Sequence, residues 1–312
     1  MDVLQQLING LSLGALYALI AVGYTVVYGI VQLINFAHGE IFMMGAFGSL
    51  ATWLVFPGSS RSLPMLLVML VGGVAVAVGM ALLTERFAYR PLRNAPRLAP
   101  LITAIGVSIF LQEFVRLFFG SIPGFPDAKS AIPFPQIEFV TGPAIDLGGV
   151  IIQRAALFTL VALAVCATIL FIFVNRTRLG RAMQATSQDP DTARLMGINV
   201  DKIIMVAFAL GAALAAVAGL SWGLRYTNID FRMGFLAGLK AFTAAVLGGI
   251  GNINGAVLGG LVLGVVETLA TSFIPGTFGG SAWKDVWAFV LLILVLVFRP
   301  QGLLGARVVD RA

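Results

Sequence analysis

Gly29-Ile30-Val31-Gln32-Leu33-Ile34-Asn35-Phe36-Ala37-His38-Gly39-Glu40 breaks a long apolar run with amides, the only histidine of the chain, a glycine and a carboxylate. Apolar sequence resumes at once in Ile41-Phe42-Met43-Met44. In a water-soluble protein such a stretch would be a loop between two helices. Here it stands in a chain of 312 residues that is 59% hydrophobic and 11% charged, where soluble domains carry roughly 25% charge. Too few polar groups are present to clothe a water-facing surface, so the chain reads as an all-α polytopic membrane protein. Polar backbone and ionisable groups at membrane depth must then be sheltered by protein or line a wet cavity. A helix break holding Asn35, His38, Gly39 and Glu40 is therefore the first candidate for a transport pathway.

Outward from this break, the apolar runs have the length of membrane spans, about 20 residues. Leu7 to Ile30 precedes it and Ile41 to Phe56 follows. Further spans are expected at Pro64 to Thr84, Leu98 to Phe119, Arg154 to Val174 and Lys202 to Trp222, with Trp287 to Phe298 in the last. Gly10, Gly14 and Ala18 recur every fourth residue, which lets a second helix approach the first closely. The glycine-rich tract Gly234 to Gly264 reads as two short spans or a pair of half-helices, interrupted near Gly251, Asn252 and Asn254. Together these segments predict eight or nine crossings in one transmembrane domain over 1–312. Gly29-Ile30, Ile34-Asn35 and Gly39 are echoed by Gly249-Ile250, Ile253-Asn254 and Gly255. That echo suggests an internal repeat with halves of about 1–120 and 154–312, each carrying one interruption.

The charges report topology. Arg86, Arg90, Arg93 and Arg97 crowd one Pro-interrupted loop, and Arg176, Arg178 and Arg181 another; both read as cytoplasmic. The net charge of +6 therefore needs no nucleic acid to explain it. Pro57 to Ser62 reads as a turn, and Gly120 to Gln153, with five prolines, as an outer connection. Gly223 to Met233 falls outside by alternation, against its Arg225 and Arg232. Asp2 without early Lys or Arg favours an outer N-terminus, whereas Arg299-Pro300-Gln301-Gly302, Arg307 and Arg311 favour a cytoplasmic C-terminus. The start lacks the basic region of a cleavable signal. Cys166, alone, offers neither a disulfide nor a thiol metal site.

Between the fifth and sixth spans, helix punctuation is dense. Asp189 fits an N-cap, Pro190 the first helical position and Asp191 the positive end of the dipole. Arg194 falls in the last turn and Gly197 where a glycine ends a helix. The result is a helix of about two turns, too short to span, within a cytoplasmic loop at 176–200. Asn199 or Asp201 can cap the span that follows. Such a helix is either a surface loop or a docking element for a soluble partner.

Catalytic constellations are missing. A lone histidine cannot build a His-rich metal site, and no G-x-S-x-G elbow occurs. Lys129, Lys202, Lys240 and Lys284 all lack P-loop context. No catalytic residue, metal ligand or cofactor site is assigned to this chain; ATP and Mg, if used, belong to another subunit. Ionisable residues within the spans are few: His38, Glu40, Lys240 and Glu267, with Glu113 and Arg116 spaced to pair on one helix face. A proton-relay transporter would show more of them. The remaining picture is an apolar, small-residue-lined passage suited to a neutral or zwitterionic small molecule.

Five stretches carry a family resemblance. Asn9-Gly10-Leu11-Ser12-Leu13-Gly14-Ala15-Leu16-Tyr17-Ala18-Leu19 is the first, Tyr28-Gly29 through Ile34 to Glu40 the second, and Glu85-Arg86 through Tyr89-Arg90-Pro91-Leu92-Arg93 the third. Gly180-Arg181-Ala182-Met183 through Asp189-Pro190 to Asn199 and Ala245-Val246-Leu247-Gly248-Gly249-Ile250-Gly251-Asn252 complete the set. In combination they resemble the LivH-type permeases of branched-chain amino acid ABC importers. The resemblance implies a subunit of the bacterial inner membrane that pairs with a LivM-like second permease. It further implies two cytoplasmic ATPase subunits and a periplasmic or lipid-anchored binding protein that delivers leucine, isoleucine or valine. By position, Asp189, Pro190, Asp191, Arg194 and Gly197 would meet the ATPase. The segment departs from the general ABC permease pattern, since no Glu-Ala-Ala occurs and Gly197 is followed by Ile-Asn-Val. Import of urea or short amides by the same machine is the alternative reading. A self-sufficient secondary transporter or channel is disfavoured by the missing relay, and a membrane enzyme by the missing residues.

Overall fold

The computed structural model describes residues 2–33, 35–56, 62–93, 95–96, 98–146 and 148–305. The expected turn at Pro57 to Arg61, together with Ile34, Arg97, Arg307 and Arg311, lies outside the described residues. Helix α1 (Asp2–Val31) is the axis of the bundle, enclosed on most sides by α2 (His38–Val55), α8 (Val200–Tyr226), α9 (Met233–Gly248) and α10 (Ile253–Phe273). Helices α3 (Leu63–Thr84), α4 (Leu98–Phe118), α5 (Arg154–Arg176) and α11 (Lys284–Phe298) lie further out and turn apolar flanks such as Ile109, Phe110, Ile169 and Val297 outward. Seven helical stretches have the length and apolarity to cross a membrane; α9 is a shorter apolar helix packed against α1, α2 and α10, and α2, with polar residues in its first turn, packs against α3, α8 and α9. The chain is thus a multi-pass, all-α membrane protein. Against eight or nine expected crossings stand these seven together with α2 and α9, whose N-termini begin inside the bundle beside each other.

Small residues set the closest helix pair, α1 with α10. A side chain added at Gly10 would begin 2.7 Å from the Cα of Val265, and one at Gly14 2.7 Å from that of Leu261. Gly260 faces Ala18 at 2.5 Å by the same measure, and Gly264 abuts the Gly14 backbone. The four-residue spacing read in α1 is met by one in α10, since backbones approach this far only where neither carries bulk.

The long connection after α4 is folded. Ile132–Pro133 (β1) pairs antiparallel with Asn228–Ile229 (β4), and Pro143–Asp146 (β2) with Ile151–Gln153 (β3). Buried Ile132, Phe134, Ile137 and Val140 anchor it over the end of the bundle, with Phe134 stacked on Gly223. Gln5 joins this end by bonding Ile151 at 2.7 and 3.0 Å. At the opposite end gather the arginines of the 85–93 segment, α6 (Arg178–Gln188), α7 (Pro190–Leu195) and the last described turn. The α6 helix, capped by Thr177 at the Gly180 amide (2.9 Å), went unread in sequence because its polar composition masks its single buried edge, Gly180, Met183 and Thr186.

Candidate functional site

Helix α1 stops at Gln32, a non-glycine residue with φ of 52° that turns the chain back into the bundle. Helix α2 then starts with no side-chain cap; the His38 amide donates to the Asn35 carbonyl at 3.0 Å. Its first residues are deeply buried. The His38 ring stacks edge-on against Tyr24 at 4.7 Å, fits against Gly23 and Gly211, and has no protein partner for Nε2 among the described residues. Glu40 accepts hydrogen bonds from Ser108 (3.0 Å) and Gln112 (2.8 Å) of α4 through Oε1, while Oε2 lies beside Gly234 without a partner among the described residues. Its place in the first turn of α2 sets a carboxylate at the positive end of the helix dipole.

Gly39 is the contact point of α2 with α9. A side chain there would begin 2.9 Å from the Cα of Gly238 and closer still to the Gly234 carbonyl. We expect Gly39→Val to force these two helices apart, so uptake and the unfolding temperature of the purified protein fall together. Unchanged thermal stability with uptake lost would mark Gly39 as a lining residue instead. Gly251 behaves differently: its φ is 96° and the space around it is open. Gly251→Ala should then cost only backbone strain, about 1–3 kcal/mol.

The second break, Gly249 to Asn252, joins α9 to α10. Asn252 caps α10 by accepting from the Gly255 amide (3.2 Å) and donates to the Leu304 carbonyl (2.8 Å). The turn after α11 returns to this spot, where the Leu303 and Leu304 amides donate to the Leu247 and Gly248 carbonyls at 2.8 and 2.9 Å. Carbonyls that a helix C-terminus leaves open are thereby satisfied. Asn254 is exposed. The two breaks do not meet through His38 or Glu40. Instead Gly29, still within α1 and ahead of the first break, approaches the second: a side chain there would lie 4.0 Å from the Cα of Gly251. A cavity of about 110 Å³ lies there, lined by Thr25, Gly29, Ile30, Ser187, Gly251 and Ile253. The sequence singled out Gly29, Ile30, Gly251 and Ile253 but not their convergence, because the cavity's walls come from four helices.

On the opposite side of α9 lies a charged cluster that sequence reading left unassembled. Lys240 reaches Glu267 (3.0 Å) and Asp285 (2.5 Å), Lys284 reaches Glu267 (3.3 Å), and the Tyr17 hydroxyl donates to Glu267 (3.1 Å). Glu267 is fully buried and Lys240 nearly so. The two cationic and two anionic groups balance, tying α1, α9, α10 and α11 together. Glu113 and Arg116 of α4 pair at 2.6 Å on a half-exposed face.

At the basic end, α7 has the caps expected of it. Asp189 accepts from the amides of Asp191 (2.9 Å) and Thr192 (3.1 Å) and from the Thr192 hydroxyl (2.5 Å). The Thr192 hydroxyl and these amides hold the Asp189 carboxyl below the usual aspartate range. With the folded-state value depressed, the cap is intact at neutral pH and is lost only as pH falls through that lowered value, below the usual aspartate range. Arg194 pairs with Asp191 at 2.6 Å, and Gly197, at φ 82°, ends the helix. Asn199, rather than Asp201, caps α8, accepting from the Lys202 amide at 3.0 Å. Beyond the polar residues, Leu195 and Met196 project from the tip, 87% and 78% exposed. Their exposure was readable in principle, since Ala193 is the residue of α7 that turns inward.

Among the described residues no three His, Cys, Asp or Glu side chains are grouped to hold a metal ion. The sequence matches the family described as "Branched-chain amino acid transport system / permease component" over residues 6–296. It is 47% identical to the high-affinity branched-chain amino acid transport system permease protein BraD of Pseudomonas aeruginosa, covering 99% of this chain and 97% of that one. Identity to the LivH permease protein of Salmonella typhimurium is 43%, with the same coverage. Among solved structures, an inward-facing ABC transporter of the metal-chelate type superposes with a TM-score of 0.50 at 18% identity, covering 95% of this chain and 87% of that one, a likeness of fold. With the family matched across nearly the whole helical bundle, the chain belongs to the branched-chain amino acid transport system permeases.

Proposed function

We propose that this protein is the membrane-spanning subunit of a binding-protein-dependent ABC importer of branched-chain amino acids. The observation that carries the reading is family membership over residues 6–296, joined to relatives alike along their whole length. In this reading the chain hydrolyses nothing itself. Two ATPase subunits dock at the basic end in the cytoplasm, a LivM-like permease completes the passage, and a substrate-binding protein loads it at the folded cap of β1–β4. The membrane is the bacterial inner membrane, with the C-terminus cytoplasmic.

The docking contact is α7. Asp189, Pro190, Asp191, Arg194 and Gly197 give the helix its shape, and Leu195 and Met196 give it an apolar tip for a cleft in the ATPase. The breaks at Asn35 to Glu40 and at Gly251 to Asn254 are the paired elements that move as the passage opens. Support comes from Gly29, in the last turn of the helix that leads into the first break, which lies beside Gly251 of the second, with a small cavity at that point. His38 and Glu40 act through packing and hydrogen bonds at the first break, not through proton relay.

Reconstitution of the full complex in liposomes tests the reading. Labelled leucine, isoleucine or valine should accumulate only with binding protein outside and ATP inside. Accumulation without the ATPase subunits would replace it with a secondary transporter, and uptake of urea but not leucine would reassign the cargo.

A further inference from the structure

Between α7 and the first helix break lies a small hydrophobic cluster separate from the main core. Ala193 of α7 and Val200, Ile204 and Phe208 of α8 form one side. Val27 of α1, Ala104 of α4 and Tyr89 complete it, with Ile30, Phe36 and Ile198 packed against it. Tyr89 ends a π-helical turn, Glu85–Tyr89, that continues α3. Such turns are rare and cluster at functional positions. The Tyr89 ring stacks on Phe208 at 5.6 Å, and its hydroxyl donates to the Asn35 side-chain oxygen at 2.7 Å. Both residues are buried, at 3% and 4% exposure.

The same turn is tied to the start of α8 by charge. Arg93 holds buried Glu85 with one nitrogen and Asp201 with another, and Arg90 holds the second oxygen of Asp201. Asp201 follows α7 by only six residues. The cluster and the arginine clamp hold the head of α8, the π-turn and Tyr89 as one body, onto which α7 packs through Ala193. The polar link from that body into the α1–α2 break is the bond between Tyr89 and Asn35.

We propose that Tyr89 is a positioning residue that transmits movement of the docking helix to the first helix break through its hydroxyl bond to Asn35. The proposal rests on the docking role given to α7 above. Coupling residues of this kind change coupling by about 0.5–2 kcal/mol, or between about twofold and about thirtyfold.

The assembled transporter in liposomes provides the test, read as amino acid accumulated per ATP hydrolysed. Tyr89→Phe and Asn35→Leu should each lower that ratio by a factor in this range while ATPase subunits still copurify. The double variant should fall no further than either single one, and Asn35→Asp, which keeps the acceptor, should retain coupling. A merely structural role would lower the amount of complex and leave the ratio unmoved. An unchanged ratio in Tyr89→Phe, or additive losses in the double variant, overturns the proposal. Should Tyr89→Phe fail to insert, the contrast between Asn35→Leu and Asn35→Asp decides. Failure of the docking reading is separate: ATPase subunits would then copurify undiminished when the tip of α7 is altered.

Discussion

Glu267→Leu is expected to lower the stability of the purified protein by about 3–5 kcal/mol, the cost of breaking a buried ion pair by removing one partner. Buried Lys240 would then keep only Asp285, and the half-exposed Lys284 would lose its carboxylate partner Glu267. The Tyr17 hydroxyl would lose its acceptor as well. Glu267→Gln keeps an oxygen for Tyr17 and should fall between Leu and wild type. The paired replacement of Lys240 by Met and Glu267 by Leu should recover part of the loss, since an apolar substitute leaves fewer charges unmatched. Denaturant titration in detergent, followed by Trp fluorescence, measures all three. Equal stability of Glu267→Leu and wild type would show that the cluster contributes no net pairing energy.

The second large effect is expected at the tip of α7. Leu195→Asp with Met196→Asp should reduce copurified ATPase subunit at least about tenfold, because apolar anchors at the centre of an interface are worth about 2 kcal/mol each. The fold should not respond, for both side chains are exposed and touch no core. Asp189→Ala acts by another route. It removes the acceptor of two amides and a hydroxyl, loosening a six-residue helix that has little else to start it. A capping loss is worth about 1 kcal/mol, so weaker docking, not its abolition, is expected. If the double Asp variant assembles normally, the partner does not seat on this tip.

What was legible in sequence is what local chemistry decides. Composition and the length of the apolar runs together require a lipid-facing helical protein, because runs of about 20 apolar residues satisfy their backbone groups within one segment. The cap of α7 could be named, and that of α8 narrowed to Asn199 or Asp201, because each bond runs only two or three residues along the chain. The glycine spacing of α1 foretold a close neighbour without saying which helix it was. Tertiary structure decided the rest. Asn35 meets Tyr89 across 54 residues, Glu40 meets Gln112 across 72, and Tyr17 meets Glu267 across 250. No periodicity encodes such pairings, since each depends on how far one helix is rotated and shifted against another. That is why Asn35 to Glu40 could be recognised from sequence as a break in a membrane helix, while its bond to the segment beside the docking helix emerged only once α1, α4, α7 and α8 were packed together.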